Sequence, residues 1–513
     1  MSHVLYLPKD DKSFRSKKEK EKRKINTTII YFPVERSLKS PKKSSQQDLE
    51  SPEDLILSIS ISQPRRPTAA PFNYRLCFSS SQTHTPTALS LFCLSHTYMF
   101  PSMASLMQFL LLILYLTHKS QALSFHLPNA LVLPITKDVT TLQYVTRIHH
   151  GTPLVPINLV VDLGGPFIWT DCASTHVSSS SRLIPNRSIK CSRAKAHDFQ
   201  SKSCLSSTQT CELFPENRVT RMSTRGDLVE DIVAVQSKAA GSITTVNDFL
   251  FSCGPTFLLH GLVGGTKGML GLGRTRISLP SQISTALNTA QKFTICLSSS
   301  NGIIAFGEGP NDSIFGTEIS RSLMYTPLVT NPGDEYSIQD YFIGINSIKI
   351  NGKLLSLKAT LGASKLSTIV PYTTMESTVY GTFIRAYVKA ASSMNLTRVT
   401  SVAPFGHCFN SKGIDSTHEG PKVPIIELVL QSETVMWRIF GRNSMVQVSK
   451  EVMCLGFLDG GLNPKASIVL GGYQLEDMLL QFEMGTSMLG FSQSLLKRQT
   501  TCSNFKLDSW AGE

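Results

Sequence analysis

The stretch Val160-Val161-Asp162-Leu163-Gly164-Gly165, with Trp169 seven positions after the aspartate, decides how this chain is interpreted. The β-branched run that begins at Asn158 predicts a strand, and the glycines after Asp162 predict a tight turn at its end. A carboxylate at the end of a strand is either a hydrogen-bonded structural group or part of a reactive site. The choice depends on whether a second acid accompanies it. Asp162 is therefore the first candidate site residue.

Strand patterns dominate the chain beyond residue 130. Phe342–Ile345 and Ile348–Ile350 are short apolar runs, and Asn351-Gly352 after them is a strong signal for a β-hairpin. Ser467–Leu470 is a further short run, followed by two glycines. Many short strands with glycine-rich turns predict an all-β fold, mainly strands with a few short helices. The clearest helical patterns are Pro280–Asn288 and Val379–Ser392.

Five further motifs follow the Asp162 motif: Gly268–Gly273 (GMLGLG), Leu279–Ile283 (LPSQI), Tyr341–Gly352 (YFIGINSIKING), Ile468–Gly471 (IVLG) and Leu489–Phe491 (LGF). In this order the motifs resemble the pepsin-like aspartic proteases, from about residue 131 to residue 495. In that family each lobe carries an Asp-Thr/Ser-Gly loop, whose glycine lets the backbone donate to the carboxylate. The resemblance implies a bilobal pepsin-like aspartic protease fold. We expect an N-terminal β lobe at 123–330, a C-terminal β lobe at 331–506 and a tail at 507–513.

The second catalytic aspartate of the family has no counterpart in this sequence. In plant relatives it stands 13 residues before a tyrosine that starts a helix, and counting back from Tyr380 leads to Ser367. Ile369 stands where the glycine of the second motif is expected. In the first motif, Leu163 replaces the residue whose hydroxyl ties the two loops together. The flap is expected at about Met222–Asp231, a stretch without the tyrosine that active enzymes carry there.

Hydrolysis in this family needs two carboxylates that share one proton, one to polarise the carbonyl and one to accept a proton from water. With Ser367 as its partner, Asp162 cannot both activate the water and supply the proton. The sequence therefore predicts a degenerate site and a protein that is not an enzyme. An active aspartic endopeptidase is the alternative. Asp171 and Asp227 are conceivable replacement acids, although ordinary solvated or turn roles explain both.

Three further stretches resemble one plant group of this family more closely: Gly271–Pro280 (GLGRTRISLP), Gly420–Pro424 and Glu427–Gln431. The group contains basic 7S globulin, the extracellular dermal glycoprotein and inhibitors of microbial xylanases and xyloglucan endoglucanases. The resemblance implies an inactive, secreted protein of the apoplast or cell wall. Its implied partners are secreted microbial glycoside hydrolases, which it binds and inhibits. A seed storage or peptide-binding protein is an alternative that the sequence leaves open.

His418 is the residue that the resemblance assigns to partner binding. In the glucanase-inhibiting relatives, a loop just before the Gly-Pro-x-Val-Pro stretch offers an arginine to the paired acids of the target. The matching residue here is His418, within Ser416–Glu419. An imidazolium can bind a carboxylate, but histidine loses its charge above about pH 6.5. Glu419 would repel acidic groups, and an ordinary solvated loop is the alternative.

The cysteines agree with an oxidising compartment. Nine of the 11 follow residue 122, and none forms a Cys-x-x-Cys pair, so we expect disulfides and no metal site. The resemblance implies the pairs Cys172–Cys253, Cys296–Cys502 and Cys408–Cys454. It leaves the partners of three cysteines open: Cys191, Cys204 and Cys211. Three sequons predict glycosylation of a secreted chain, at Asn186, Asn311 and Asn395.

Residues 103–122 have the composition and order of a secretory signal peptide. Leu106–Leu116 is the apolar core, and Ser120-Gln121-Ala122 supplies the small residues of a cleavage site. The core is too short to span a bilayer as a helix, so we expect no membrane association after cleavage. Residues 1–102 are rich in Ser, Pro and Lys, and we expect them to be disordered or an upstream gene-model extension.

The net charge of +13 is unevenly distributed, and more than half of it lies in residues 1–102. The remainder is mildly basic, which suits attraction to an acidic wall polysaccharide or an acidic protein. No stripe of basic residues with interleaved aromatics follows residue 123, so we do not expect a nucleic-acid partner. No cofactor is expected either.

Overall fold

The computed structural model describes residues 131–175, 177–196, 209–237, 243–307, 314–331, 339–357 and 361–505, together with four short strands before residue 98. The chain divides into two compact units, Met1–Phe125 and His126–Glu513. The proposed signal peptide at 103–122 lies outside the described residues, as does Cys204.

The described residues of the first unit form four antiparallel strands in the order β1-β2-β3-β4. They span Thr27–Ile29, Leu57–Ser60, Asn73–Phe78 and Phe92–Thr97. The expectation that residues 1–102 are disordered or an upstream extension stays a prediction.

The second unit begins with the strands of the N-terminal half. They are β5 (Leu131–Lys137), β6 (Tyr144–His150), β7 (Val155–Asp162), β8 (Trp169–Asp171), β9 (Arg182–Leu183), β10 (Glu212–Leu213), β11 (Glu216–Asn217), β12 (Met222–Ser223), β13 (Gly226–Ser237), β14 (Ile243–Gly254), β15 (Thr266–Gly271), β16 (Lys292–Cys296), β17 (Asn301–Phe306) and β18 (Met324–Val329).

The strands of the C-terminal half are shorter. They are β19 (Phe342–Gly344), β20 (Ser347–Ile350), β21 (Lys353–Leu354), β22 (Ala363–Leu366), β23 (Thr373–Met375), β24 (Arg398–Val399), β25 (Cys408–Asn410), β26 (Ser416–Thr417), β27 (Gly420–Pro421), β28 (Ile426–Val429), β29 (Met436–Ile439), β30 (Met445–Gln447), β31 (Val452–Leu455), β32 (Phe457–Asp459), β33 (Ile468–Leu470), β34 (Leu479–Glu483) and β35 (Met488–Phe491).

The described helices are few. They are α1 (Ile189–Lys195), α2 (Leu279–Leu287), α3 (Thr317–Arg321), α4 (Ser377–Ser393), α5 (Gly441–Ser444) and α6 (Gly472–Leu475), with 3-10 turns at Thr256–Leu259, Leu495–Arg498 and Cys502–Asn504. The longest of them is α4. The two predicted helices are confirmed as α2 and α4. The Glu376 carboxylate starts α4, because it accepts hydrogen bonds from the backbone N–H groups of Thr378 and Val379.

The predicted hairpin at Asn351-Gly352 is also confirmed. β20 and β21 pair across this two-residue turn, with Ile350 opposite Lys353. Asn351 and Gly352 both have positive φ, 47° and 75°, as a type I′ turn requires.

The two halves repeat one arrangement around a shared sheet of 19 strands. In the first half β7 pairs in parallel with β15, and in the second half β22 pairs in parallel with β33. The halves meet where β16 pairs with β34 and β18 with β35. At this junction the Phe293 and Phe482 rings stack at 4.8 Å between centroids. The bilobal, mainly β fold expected from the sequence is confirmed.

Four disulfides fasten the described part of this unit. Three pair the same cysteines as the resemblance implied: Cys172–Cys253, Cys296–Cys502 and Cys408–Cys454. The fourth joins Cys191 of α1 to Cys211, which the sequence left open.

Candidate functional site

Asp162 is the last residue of β7 and is buried, with 3% of its surface exposed. One carboxylate oxygen, Oδ1, accepts a hydrogen bond from the Gly164 N–H at 3.1 Å. Gly165 packs directly against the same side chain, because a Cβ at this position would lie 2.9 Å from Asp162 Oδ2. The glycines of the motif therefore let the backbone wrap closely around the carboxylate.

Ser367 lies directly after β22, the strand that pairs in parallel with β33 in the second half of the molecule. Its N–H donates to Leu470 O of β33 at 3.0 Å. Its hydroxyl oxygen accepts from the N–H groups of Ile369 and Val370, each at 3.2 Å. Ser367 is therefore held by its loop much as Asp162 is held by Gly164, but it offers a hydroxyl in place of a carboxylate.

The two loops are tied together by Thr368, a residue that the sequence reasoning missed. Its hydroxyl donates to Val161 O at 2.7 Å and accepts from the Leu163 N–H at 3.0 Å. Leu163 is fully buried and has no hydroxyl to return this pair of bonds. The tie is thus one-sided, as the leucine in the first motif suggested. Its position directly after Ser367 was the sequence signal that could have identified Thr368 as the residue that ties the loops together.

Arg218 is the second residue that the sequence reasoning missed, and it contacts both sides of the cleft. Its Nη1 and Nη2 bind Asp340 Oδ1 and Oδ2 at 2.9 and 3.1 Å, a bidentate pair. The same Nη1 lies 3.4 Å from Asp162 Oδ1. Lys365 Nζ binds Asp340 Oδ2 at 2.6 Å. We call these four residues, Asp162, Arg218, Asp340 and Lys365, the cleft cluster.

The hairpin that carries Arg218 corrects the position expected for the flap. β11 and β12 pair with Glu216 opposite Ser223, and Arg218 lies in the turn between them. Trp169 Nε1 donates to Glu216 O at 2.9 Å and so fixes the base of this hairpin. The stretch Met222–Asp231, expected to be the flap, contains only its second strand and the start of β13. The hairpin formed by β11 and β12 also lacks the tyrosine that active enzymes carry in the flap.

The two buried acids of the cleft cluster differ in acidity. Burial raises the pKa of Asp162, with Asp340 adding to the rise, and the opposing charges of Arg218 and Lys365 do not cancel it. Burial acts in the same direction on Asp340, but Arg218 and Lys365 bind it directly and hold its pKa below the usual range. Asp340 is therefore the ionised partner of the two cations, and Asp162 is the acid that retains a proton more readily.

The cleft between the halves encloses a cavity of about 900 Å³. This volume lies within the range of ligand-binding pockets. Besides the cleft cluster and Ser367, apolar side chains line it: Phe167, Phe214, Phe342, Ile369 and Val469. The arrangement can hold an extended or compact organic ligand. Of the two loops, one offers the Asp162 carboxylate and the other the Ser367 hydroxyl, and Arg218 joins Asp162 to the neighbouring carboxylate of Asp340.

His418 lies elsewhere, at the tip of the hairpin formed by β26 and β27. It is exposed, and its Nε2 lies 3.4 Å from Gln499 Nε2. Glu419 is turned back, with its carboxylate 3.6 Å from Lys497 Nζ. Glu419 therefore has a neighbouring cation, and its effect on acidic partners stays a prediction.

Comparison with known proteins agrees with the two-lobed fold, because one family model matches each half of the chain. The family model described as "Xylanase inhibitor N-terminal" matches residues 144–308, and the one described as "Xylanase inhibitor C-terminal" matches residues 340–493. The chain belongs to the xylanase inhibitor family. The resemblance inferred from the sequence motifs is thereby confirmed.

Relatives of this xylanase inhibitor family chain match about three quarters of its length. "Probable aspartic proteinase GIP2" of Nicotiana benthamiana is 49% identical over 412 residues, which is 75% of this chain and 93% of that protein. The crystal structure of edgp has a TM-score of 0.69 at 46% identity and covers 75% of this chain and 99% of its own. The crystal structure of basic 7S globulin from soybean has a TM-score of 0.65 at 34% identity, with coverage of 75% and 100%.

The remaining predicted residues do not join the cleft of this family member. Asp171 is fully buried in β8 and accepts from the Ala173 N–H, and Asp227 accepts from the Thr210 hydroxyl. Of the sequons, Asn395 is exposed and Asn186 half-buried, while Asn311 lies outside the described residues. Glycosylation stays a prediction at all three.

Within the described ranges, no group of three or more His, Cys, Asp or Glu residues could hold a metal ion. No helix in the described part of the chain is both long and apolar enough to cross a bilayer.

Proposed function

We propose that this chain is a secreted, catalytically inactive member of the xylanase inhibitor family that binds and inhibits microbial cell-wall-degrading glycoside hydrolases. The observation that carries the proposal is that Asp162 and Ser367 follow corresponding parallel strand pairs of the two halves and both line the cleft, so that one loop offers a carboxylate and the other a hydroxyl. A hydroxyl cannot share a proton with Asp162 as a second carboxylate would.

Asp340 does not replace the missing acid. Arg218 and Lys365 bind both of its oxygens, and these contacts lower its pKa. A carboxylate that is engaged in this way is a poor base for water. The Arg218 guanidinium contacts Asp162 and Asp340 together, so a cation joins the two acids in the cleft.

The His418 hairpin is the surface that supports an inhibitory role. The Arg442 N–H donates to Glu419 O at 2.7 Å, and Gly420 has a φ of 96° and packs against Arg442 so closely that a Cβ would lie 2.3 Å from its nitrogen. The hairpin is therefore fixed before any partner arrives, which reduces the entropy lost on binding. The family descriptions that match the chain name xylanase inhibitors.

Secretion is supported by the disulfides and by the similarity to the relatives reported above. Four disulfides in the described residues suit an oxidising compartment. The signal peptide at 103–122, glycosylation and a place in the apoplast or cell wall belong to the same proposal.

Two assays test the proposal. The purified secreted chain is expected to inhibit a fungal xylanase or endoglucanase and to hydrolyse no protein substrate between pH 3 and 5. His418→Ala is expected to weaken inhibition about tenfold or more, as loss of a charged contact at an interface does. His260→Ala, which removes an exposed histidine of the other half, is the matched control. Pepstatin-sensitive proteolysis by the wild type would contradict the proposal, and unchanged inhibition by His418→Ala would exclude this hairpin as the inhibitory element.

A peptide-binding or storage role is the second candidate. The lining of the 900 Å³ cavity favours it, because apolar side chains stand there beside charged ones, as a peptide ligand requires. Basic 7S globulin and gamma conglutin stand among the relatives. Retention of peptides from a defined peptide library, without inhibition of any glycoside hydrolase, would favour this candidate over the first.

A further inference from the structure

A second cavity, of about 370 Å³, opens beside the His418 hairpin. Arg442 and His418 stand on its wall together with six hydroxyl-bearing residues: Ser298, Ser299, Ser416, Thr417, Thr501 and Ser503. We call this cavity the Arg442 pocket. It is separate from the cleft between the lobes, and none of the reasoning from the sequence pointed to Arg442.

Arg442 is held at the foot of the hairpin by its backbone while its guanidinium stays exposed. Its N–H donates to Glu419 O, and the adjacent Gly441 faces Pro421 so closely that a Cβ would lie 2.0 Å from Pro421 O. Within the described chain, the guanidinium makes one hydrogen bond, from Nη2 to Ser299 Oγ at 3.1 Å. An arginine carries five N–H donors in a planar fork, so most of them are open to a ligand.

The charges around the pocket favour an anion. Asp477 on the pocket wall is 3% exposed and accepts from the Cys502 N–H at 3.0 Å. Burial raises the pKa of Asp477 to about 6, against the opposing effect of Arg442, so its charge is absent in mildly acidic solution. Glu419 is offset by Lys497. The wall therefore carries a net positive charge in acid.

We propose that the Arg442 pocket binds a carboxylate side chain of the partner protein, with Arg442 as the main donor and His418 beside it. The inference rests on the proposed function and names the chemistry by which the partner is recognised. Arginine stays charged across the whole pH range and matches a carboxylate with two parallel hydrogen bonds. The serine and threonine hydroxyls supply further donors, and the rigid hairpin holds His418 on the wall of the same pocket as Arg442.

Substitution of Arg442 tests the inference on the full secreted chain. Arg442→Gln is expected to weaken the affinity for a glycoside hydrolase that the wild type inhibits by about tenfold or more, and Arg442→Lys by less, because lysine lacks the bidentate fork. Arg385→Gln, which removes an exposed arginine on α4, is the charge-matched control and is expected to change nothing. Equal melting temperatures of the variants would show that folding is intact.

Citrate titration of the free protein, followed by calorimetry, tests the pocket independently of any enzyme. The wild type and Arg385→Gln are expected to bind citrate, and Arg442→Gln is expected to lose this binding. If no hydrolase binds the wild type but citrate binding still depends on Arg442, the proposed function fails and the anion site stands. If Arg442→Gln binds both citrate and the hydrolase like the wild type, the pocket assignment is overturned. If Arg442→Gln binds the hydrolase like the wild type but no longer binds polygalacturonate, the protein partner is overturned in favour of an acidic polysaccharide.

Discussion

Asp477 is a buried carboxyl whose ionisation opposes folding. Burial raises its pKa from 3.8 to about 6, so the folded protein holds the proton more tightly than the unfolded chain. Its contribution to stability is complete below about pH 4 and is lost as the pH rises to about 6. At neutral pH this loss amounts to at most about 3 kcal/mol, from 1.36 kcal/mol per pKa unit.

Asp477→Asn is therefore expected to raise the free energy of unfolding at pH 7.5 by about 1–3 kcal/mol and to change it little at pH 4. Asparagine keeps the oxygen that accepts from the Cys502 N–H. Urea unfolding of both proteins at the two pH values measures the difference. An equal effect at both pH values would show that ionisation of Asp477 is not the cause.

At the scale of the element, the His418 hairpin depends on a glycine. Gly420→Ala is expected to destabilise the protein by about 1–3 kcal/mol, because alanine is strained at a φ of 96° and its Cβ would collide with Arg442 N. It should also weaken hydrolase inhibition, since the hairpin must move. Gly413→Ala is the matched control, with a φ of 75° and no atom within 4 Å of the added Cβ. A similar loss in both variants would assign the effect to backbone strain alone.

Elements were predictable where local pattern decides them. The hairpin at Asn351-Gly352 and the helices α2 and α4 follow from turn chemistry and apolar spacing. The hairpin that carries Arg218 was misplaced, because its position depends on a contact between Trp169 and Glu216, 47 residues apart. Local propensity carries no information about such a contact.

At the scale of the whole molecule, the cleft cluster joins the two halves. Arg218 lies in the first half, and its main partner Asp340 stands at the entry to β19 in the second. The motif around Asp162 and the count to Ser367 were readable from the sequence. The ion pair was not, because residues 218 and 340 meet only once both lobes have folded.

Arg218→Met is expected to lower the free energy of unfolding by about 2–4 kcal/mol, because it leaves two buried acids with Lys365 as their nearest cation. Arg221→Met, which removes an exposed arginine of the same turn, should cost less than about 0.5 kcal/mol. Chemical denaturation monitored by tryptophan fluorescence measures both. If the two variants were equally stable, the cleft cluster would contribute nothing to holding the halves together.

The facing glycines at 420 and 441 have a consequence for how this protein can change its target. A side chain at either position would collide with the facing backbone, so the two glycines keep the base of the hairpin closely packed. His418 at the tip is exposed and projects beyond the base formed by these glycines, whereas Glu419 is turned back toward Lys497. A library randomised at 418 alone should therefore yield folded proteins in which recognition is changed while the scaffold beneath remains unaltered.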